Sequence, residues 1–270
     1  MPEPEFAPRP DEARDRSFVT ALARGLDVLR CFRAGDLDLT NADISARTGL
    51  PKATVSRLTH TLCALEYLVA DPRTGTYRLG VGVLRLGFGV LAGMDIGERA
   101  AGVLRELRNG PNSYITAALG ERHRADVVYV AVHRSRENLS LAMHVGSRLP
   151  LFHSAIGRAI LVAMQPEDRE TVFDIARRDD PAGEAARRTA YERAASEYAG
   201  KGFCTGYGEW RSDVNGIAVP VASLDGAHLY GLNVGGPSYR VGERELEDHY
   251  APLLIAAARK LTVQPPATRG

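Results

Sequence analysis

"GLPKATVSRLTHTLCALEYL", residues 49–68, runs from a glycine and a proline through a polar stretch with Lys52 and Arg57 into leucines at helical spacing. Pro51 suits the first turn of a helix. Val55, Leu58, Leu62 and Leu65 then share one face, while Lys52, Thr54, Ser56, Arg57 and His60 take the others. An amphipathic helix with basic residues on its polar face is ordinarily just solvated. The segments on either side decide what this one is for.

Upstream, "SFVTALARGLDVLRCF" (17–32) puts Phe18, Leu22, Leu26, Leu29 and Phe32 on one stripe and reads as a helix despite Gly25. "AGDLDL" breaks it. "TNADISARTG" (40–49) opens with Thr40 as N-cap and Asp43 three residues on, in the manner of a capping box. It closes on Gly49, suited to the left-handed position after a helix. Ser45 or Ala46 is small enough for two helices to cross there. Downstream, residues 67–70 and 76–79 are β-like runs around "DPRTG", a hairpin signal with Arg73 at its tip.

In order, these are the parts of a winged helix-turn-helix. In that reading Lys52, Thr54, Ser56 and Arg57 offer donors to the major groove, and Arg73 reaches phosphate or the minor groove. Thr40 marks the capping end of the motif's first helix, and His60 stays open between phosphate and solvent. Charge distribution agrees. The chain's net charge is +1, yet ten Lys/Arg face six Asp/Glu between Arg16 and Arg85, leaving the remainder acidic.

The 270 residues are 44% hydrophobic, enough for one large domain or two moderate ones. No window approaches a membrane span. Residues 1–16 have no apolar signal-peptide segment and read as a disordered lead-in. Cys31, Cys63 and Cys204 lie far apart, which argues against a disulfide framework or a zinc site and fits a reducing cytoplasm.

Beyond residue 80 the chain is helical again from 81 to 107, interrupted by glycines, with a break near 94–96. "SYITAALGE", "DVVYVAVHR" and "LSLAMHVG" are strand candidates. "HSAIGRAILVAM", "PEDRETVFDIARR" and "EAARRTAYERAASEYAGKG" are helices, "NGIAVPVAS" and "HLYGLNVGG" are two strands around "LDGA", and "GERELEDHYAPLLIAAARKL" is a closing helix. Strands in close succession with helices grouped between them give an α+β domain on a mainly antiparallel sheet.

"FVTALARGLDVLRCF", "LTNADISARTGLPKATVSRLTHTLCALEYL" and "DPRTGTYRLGVGVLRLG" together resemble the N-terminal domain of the IclR family of bacterial transcription regulators. The likeness continues through "GSRLPLFHSAIGRAILVAM" and "GIAVPVASLDGAHLYGLNVGGPSYR", spanning about residues 18–261. It implies a winged helix-turn-helix (17–80), a linker helix (81–95), a GAF-like effector domain (96–263) and a tail (264–270). It also implies homodimers or dimers of dimers on double-stranded operator DNA, control by a small carboxylate effector, and regulation of catabolic genes.

"LFHSAIGRAIL" is a loop entering a helix, whose first amides and dipole favour a carboxylate. By the resemblance, the amides of Ala155 and Ile156 receive it. A plain Ser/His-capped helix is the competing reading. Where relatives place acidic, Cys or Ser side chains, this chain has Gly206, Gly216, Asn233 and Gly235. Small residues there enlarge a cavity for a bulkier, aromatic effector touched by Asn233, Met143 and Trp210. Alternatively the glycines serve tight strand packing.

Other chemistries find little support. Gly87, Gly89 and Gly93 match a nucleotide-loop spacing but follow no βαβ strand, and suit close helix packing in a dimer better. The seven histidines show no metal-ligand spacing, Cys204 has no identifiable partners, and Ser154 is not in a nucleophile elbow. No cofactor, metal or catalytic residue is expected. An enzyme built on the C-terminal domain with an appended helix-turn-helix is the alternative from another class.

Overall fold

The computed structural model of the chain describes residues 17–33, 35–93, 95–137, 143–223 and 226–262. The expected lead-in at 1–16 and tail at 264–270, and residues 139–142 of the strand expected at "LSLAMHVG", lie outside them. The chain divides into two compact units at Gly93/Met94.

The first unit holds α1 (Thr20–Arg30), β1 (Leu39–Thr40), α2 (Asn41–Thr48), α3 (Lys52–Ala64), β2 (Leu68–Asp71), β3 (Thr76–Leu79) and α4 (Val81–Ala92). The Thr40 hydroxyl accepts the Asp43 amide at 3.2 Å while the Asp43 carboxylate accepts the Thr40 amide at 2.9 Å. That reciprocal box fixes where α2 begins. Gly49, at φ 70°, ends it in the left-handed conformation, and the Ser45 hydroxyl donates to the Leu50 carbonyl at 2.6 Å across the turn. α3 then packs back on α2 and α1 through Val55 and Leu62, around a core of Val28, Cys31, Leu39, Ile44 and Leu68. Arg47 pairs with Asp36 and donates to the Cys31 carbonyl at 2.9 Å, tying the loop after α1 to the end of α2.

Three expected apolar contacts are corrected. Leu22 and Leu26 are exposed, because only the C-terminal half of α1 lies on the other helices; Val28 and Cys31 turn inward instead. Leu65 is 59% exposed. It follows the last helical residue, and Glu66 at φ 61° swings the chain into the hairpin before Leu65 can complete the stripe. Thr59 takes an inward position, its hydroxyl satisfied by the Ser56 carbonyl at 3.1 Å. The sheet has three strands in the order β1-β3-β2; β1, pairing Leu39 with Tyr77, is too short for a sequence signal.

The second unit runs α5 (Asp95–Arg108), β4 (Thr116–His123), β5 (Asp126–His133), β6 (Arg148–Pro150), α6 (Ala155–Ala163), α7 (Pro166–Asp179), α8 (Glu184–Lys201), β7 (Cys204–Tyr207), β8 (Val214–Ala222), β9 (Leu229–Pro237), α9 (Glu243–Glu245), a π-helical turn (Leu246–Tyr250) and α10 (Ala251–Thr262). Its six strands are antiparallel throughout, in the order β6-β5-β4-β9-β8-β7. The described residues 143–147 form a turn rather than the expected strand.

The two faces of this sheet differ in side-chain size. Leu119, Ile217, Val219, Leu232 and Val234 face α5 and α10 with Leu104, Leu107 and Leu254. The opposite face carries Ala118 and Gly120 on β4, Gly216 and Ala218 on β8, and Gly231 on β9, so α6 settles close to the backbone. A methyl on Gly157 of α6 would stand 2.0 Å from the Leu151 carbonyl oxygen, and one on Gly231 would stand 2.4 Å from Ile156 Cγ1. Among the described residues no helix is long and apolar enough to cross a membrane.

Candidate functional site

On the first unit, α3 divides its surface as its sequence suggests. At about 100° per residue, Val55, Leu58, Thr59 and Leu62 fill one arc. Lys52, Ser56, Arg57 and His60 are exposed on the other, and Thr54 is half-buried at its edge. No ion pair engages Lys52 or Arg57 among the described residues, so both cations stand free on that face. Arg73 is exposed at the hairpin tip; its amide donates to Asp71 at 2.8 Å and its guanidinium lies 3.8 Å from the same carboxylate. Thr40 is engaged in its cap, leaving no hydroxyl free for a ligand without opening the box.

On the second unit, a pocket opens between α6 and the small-residue face of the sheet. Met143, Ala155, Ile156, Trp210, Gly216, Asn233 and Gly235, each expected from the sequence, all line it. So do Thr116, Tyr129, Leu149, His153, Ser154, Gly206, Val214 and Asn215. Of these, Gly206 was visible to sequence reasoning. Tyr129 was findable in principle, since strand alternation sets it on the α6 side of β5, but nothing local marked it as a lining residue.

The polar groups of the pocket are few. Ser154 caps α6, its hydroxyl accepting the Gly157 amide at 3.2 Å. The amides of Ala155 and Ile156 precede the first possible intrahelical acceptor, and no acceptor among the described residues takes them. A Cβ on Gly206 would stand 2.8 Å from the Ala155 nitrogen, so glycine keeps that amide uncovered. Asn233 donates to the Tyr129 hydroxyl at 3.1 Å, and its own carbonyl oxygen is buried without a partner among the described residues. Burial pushes the Tyr129 hydroxyl well above the ordinary phenol range, keeping it protonated. Among the described residues no Lys or Arg lines the cavity. Any attraction for an anion there comes from the amides and the helix dipole.

The enlarged-cavity reading of the glycines is corrected at Gly235. A Cβ there would stand 2.6 Å from the Asn215 carbonyl oxygen, so β8 and β9 could not approach as they do. Its glycine is set by strand packing. Gly216 is less constrained: a Cβ there would stand 3.3 Å from the Val234 carbonyl oxygen, a contact relieved by a shift of a few tenths of an ångström.

Beneath the pocket, Arg158 is 1% exposed and holds α6 to the segment that carries Trp210. It donates to the carbonyls of Phe152 (3.1 Å) and Thr205 (3.0 Å) and forks onto both carboxylate oxygens of Glu209. Arg193 reaches the same carboxylate. Burial would raise the Glu209 pKa, but the two guanidiniums outweigh it and hold the group at about 2. The thiols of Cys204 and Cys31 are pushed up by burial, to about 12 and about 11, and are protonated at neutral pH. Among the described residues no three His, Cys, Asp or Glu side chains gather as a metal set.

A family model described as "Bacterial transcriptional regulator IclR C-terminal" matches residues 88–263, and one described as "IclR helix-turn-helix domain" matches residues 21–72. The HTH-type transcriptional regulator TsaQ1/TsaQ2 of Comamonas testosteroni is 32% identical over 269 residues, covering 96% of this chain and 94% of that protein. The Pca regulon regulatory protein of Pseudomonas putida is 34% identical over 256 residues, covering 93% and 85%. Among solved structures, an IclR family transcriptional regulator from Brucella abortus superposes with a TM-score of 0.79 at 39% identity, covering 92% of this chain and 93% of that one.

The Arg158–Glu209 pair yields a pH prediction. Because the folded-state pKa of Glu209 lies below its ordinary 4.5, its contribution is complete above about pH 4.5 and is lost as the pH falls toward 2. Glu209→Gln strands the buried Arg158 charge and is expected to cost about 2 kcal/mol at pH 7, discounted for the partial exposure of the carboxylate. In urea titrations the gap between wild type and variant should close between pH 4.5 and 2; a gap constant with pH contradicts the assignment.

Proposed function

The chain belongs to the IclR family of transcriptional regulators, and on that premise we propose that it controls a catabolic operon in the cytoplasm, releasing or engaging operator DNA in response to a small aromatic carboxylate. The observation that carries the effector half of this reading is the pair of uncommitted amides at Ala155 and Ile156, facing a pocket kept open by Gly206. A carboxylate there gains two N–H donors and the positive end of α6. Met143, Leu149, Val214 and Trp210 supply an apolar wall for a ring, with Tyr129 and Asn233 as the polar groups at hand. Every relative reported above is a named regulator, which supports a binding role over catalysis for this pocket.

For DNA, the exposed arc of Lys52, Ser56, Arg57 and His60 is the recognition surface we assign, with Thr54 at its edge and Arg73 as the wing contact. Thr40 serves by fixing the start of α2. A homodimer or dimer of dimers is supported by α4. Its Val81, Leu84, Leu86, Phe88 and Val90 are all exposed, and a Cβ on Gly87 or Gly89 would meet nothing within 4 Å. Among the described residues nothing requires those glycines, whereas close approach of a partner helix would.

Three outcomes test these assignments. In calorimetry, a benzoate-type acid should bind wild type, and Gly206→Val should weaken it at least tenfold with operator affinity unchanged; tight binding of two- or three-carbon acids alone defeats the aromatic reading. Arg57→Ala should lose about 1–3 kcal/mol of operator affinity in a gel-shift titration if it reads a guanine edge, and no loss removes it from the interface. Light scattering should give at least twice the chain mass of 29.2 kDa for wild type and a lower mass for Phe88→Glu. A wild-type monomer refutes the dimer.

A further inference from the structure

Most polar side chains around the pocket are already engaged. Ser154 donates to the Pro150 carbonyl at 2.7 Å and accepts the Gly157 amide at 3.2 Å. Asn215 donates at 3.0 Å to the carbonyl of Val241, which packs on the far face of the sheet. Thr116 Oγ1 accepts the Ser135 amide at 3.1 Å. Tyr129 differs. It is 3% exposed, and its hydroxyl accepts the Asn233 side-chain amide at 3.1 Å. Its own proton has no acceptor among the described residues.

A buried O–H without an acceptor costs free energy until a partner meets it. Asn233 also determines where that proton points. A phenol accepts on one side of its C–O bond and donates on the other, so the amide turns the O–H away from itself, and the accepted bond strengthens the donor. Both residues line the cavity, which is the space beside them. The spacing suits a ring. Gly206 on β7, which leaves the Ala155 amide uncovered, aligns through Gly216 of β8 with Gly235 of β9, and Asn233 lies two residues along β9. Two strand spacings are about 10 Å, a gap that a benzoate with a hydrogen bond at each end can bridge. With no Lys or Arg among the lining residues, a second carboxylate at Tyr129 would be buried without a countercharge. A methyl or halogen would leave the Tyr129 proton unmet, whereas a neutral oxygen accepts it.

We propose that Tyr129 sets effector specificity at the end of the pocket away from the α6 amides, donating to an uncharged ring hydroxyl, with Asn233 as the positioning residue that aims it. This rests on the aromatic-carboxylate reading above and selects the hydroxylated members of that class. Calorimetry of the full chain with benzoate, meta-hydroxybenzoate and para-hydroxybenzoate tests it. Wild type should bind one of the hydroxylated acids at least tenfold more tightly than benzoate, since a site built to bond a hydroxyl rejects the analogue lacking it. Tyr129→Phe should bind benzoate as wild type does and lose that preference. Asn233→Ala should narrow it, because nothing then turns the O–H toward the ligand. Equal wild-type affinity for all three acids, or an undiminished preference in either variant, overturns the proposal alone. So does loss of benzoate binding in Tyr129→Phe, which assigns the side chain to the shape of the pocket. Binding of none of the three acids overturns the aromatic-carboxylate reading and the proposal with it.

Discussion

The close approach of α6 to one face of the six-stranded sheet sets most of what the second unit can do. The face beneath it is built from alanines and glycines, and Gly157 brings the helix itself against the Leu151 backbone. With side chains removed from the contact, the helix N-terminus is held at a fixed distance from β7, β8 and β9. The pocket is the space left where that seat ends. Arg158 then locks the geometry from below, because a buried guanidinium with four acceptors tolerates little displacement of α6 against the segment at 205–209. The position of Trp210 on the cavity wall follows from that lock.

In the first unit the constraint is smaller in scale and similar in kind. Two caps, the Thr40–Asp43 box and the left-handed Gly49, determine the first residue of α2 and the angle at which α3 leaves it. Once those are set, the side chains of α3 sort themselves: Val55, Thr59 and Leu62 are claimed by the core, and the basic residues are left on the outside. Among the described residues no ion pair engages Lys52 or Arg57, consistent with a surface that meets its partner chiefly through charge and hydrogen bonds.

Much of this was legible in the sequence because it rests on local chemistry. The capping pair, the glycine turn, the hairpin dipeptides and the Ser154 cap are each spelled in four or five residues. Fold class and family could be read, and the seven residues expected around the effector do share one cavity. What escaped depends on partners distant in the chain. The short strands β1, β6 and β7 exist only because neighbours pair with them. Leu22 and Leu65 satisfy the helical period but lie where no other helix reaches, and Gly235 is dictated by a carbonyl on the adjacent strand rather than by the cavity. Tyr129 and Arg158 gain their roles from residues 104 and 51 positions away.

The strand order carries a consequence for biosynthesis. The central pairing of the large sheet joins β4 to β9, aligning Thr116 with Gly235. Every pairing in the first unit closes within a few tens of residues. On a ribosome the N-terminal unit therefore has all its strands and helices in hand while most of the C-terminal unit is still unmade. The large sheet, with β8 and β9 contributed last, cannot close before Pro237 has emerged, and its β4 edge waits unpaired on that side until then. The helix-turn-helix unit is complete before the unit that carries the pocket can close its sheet.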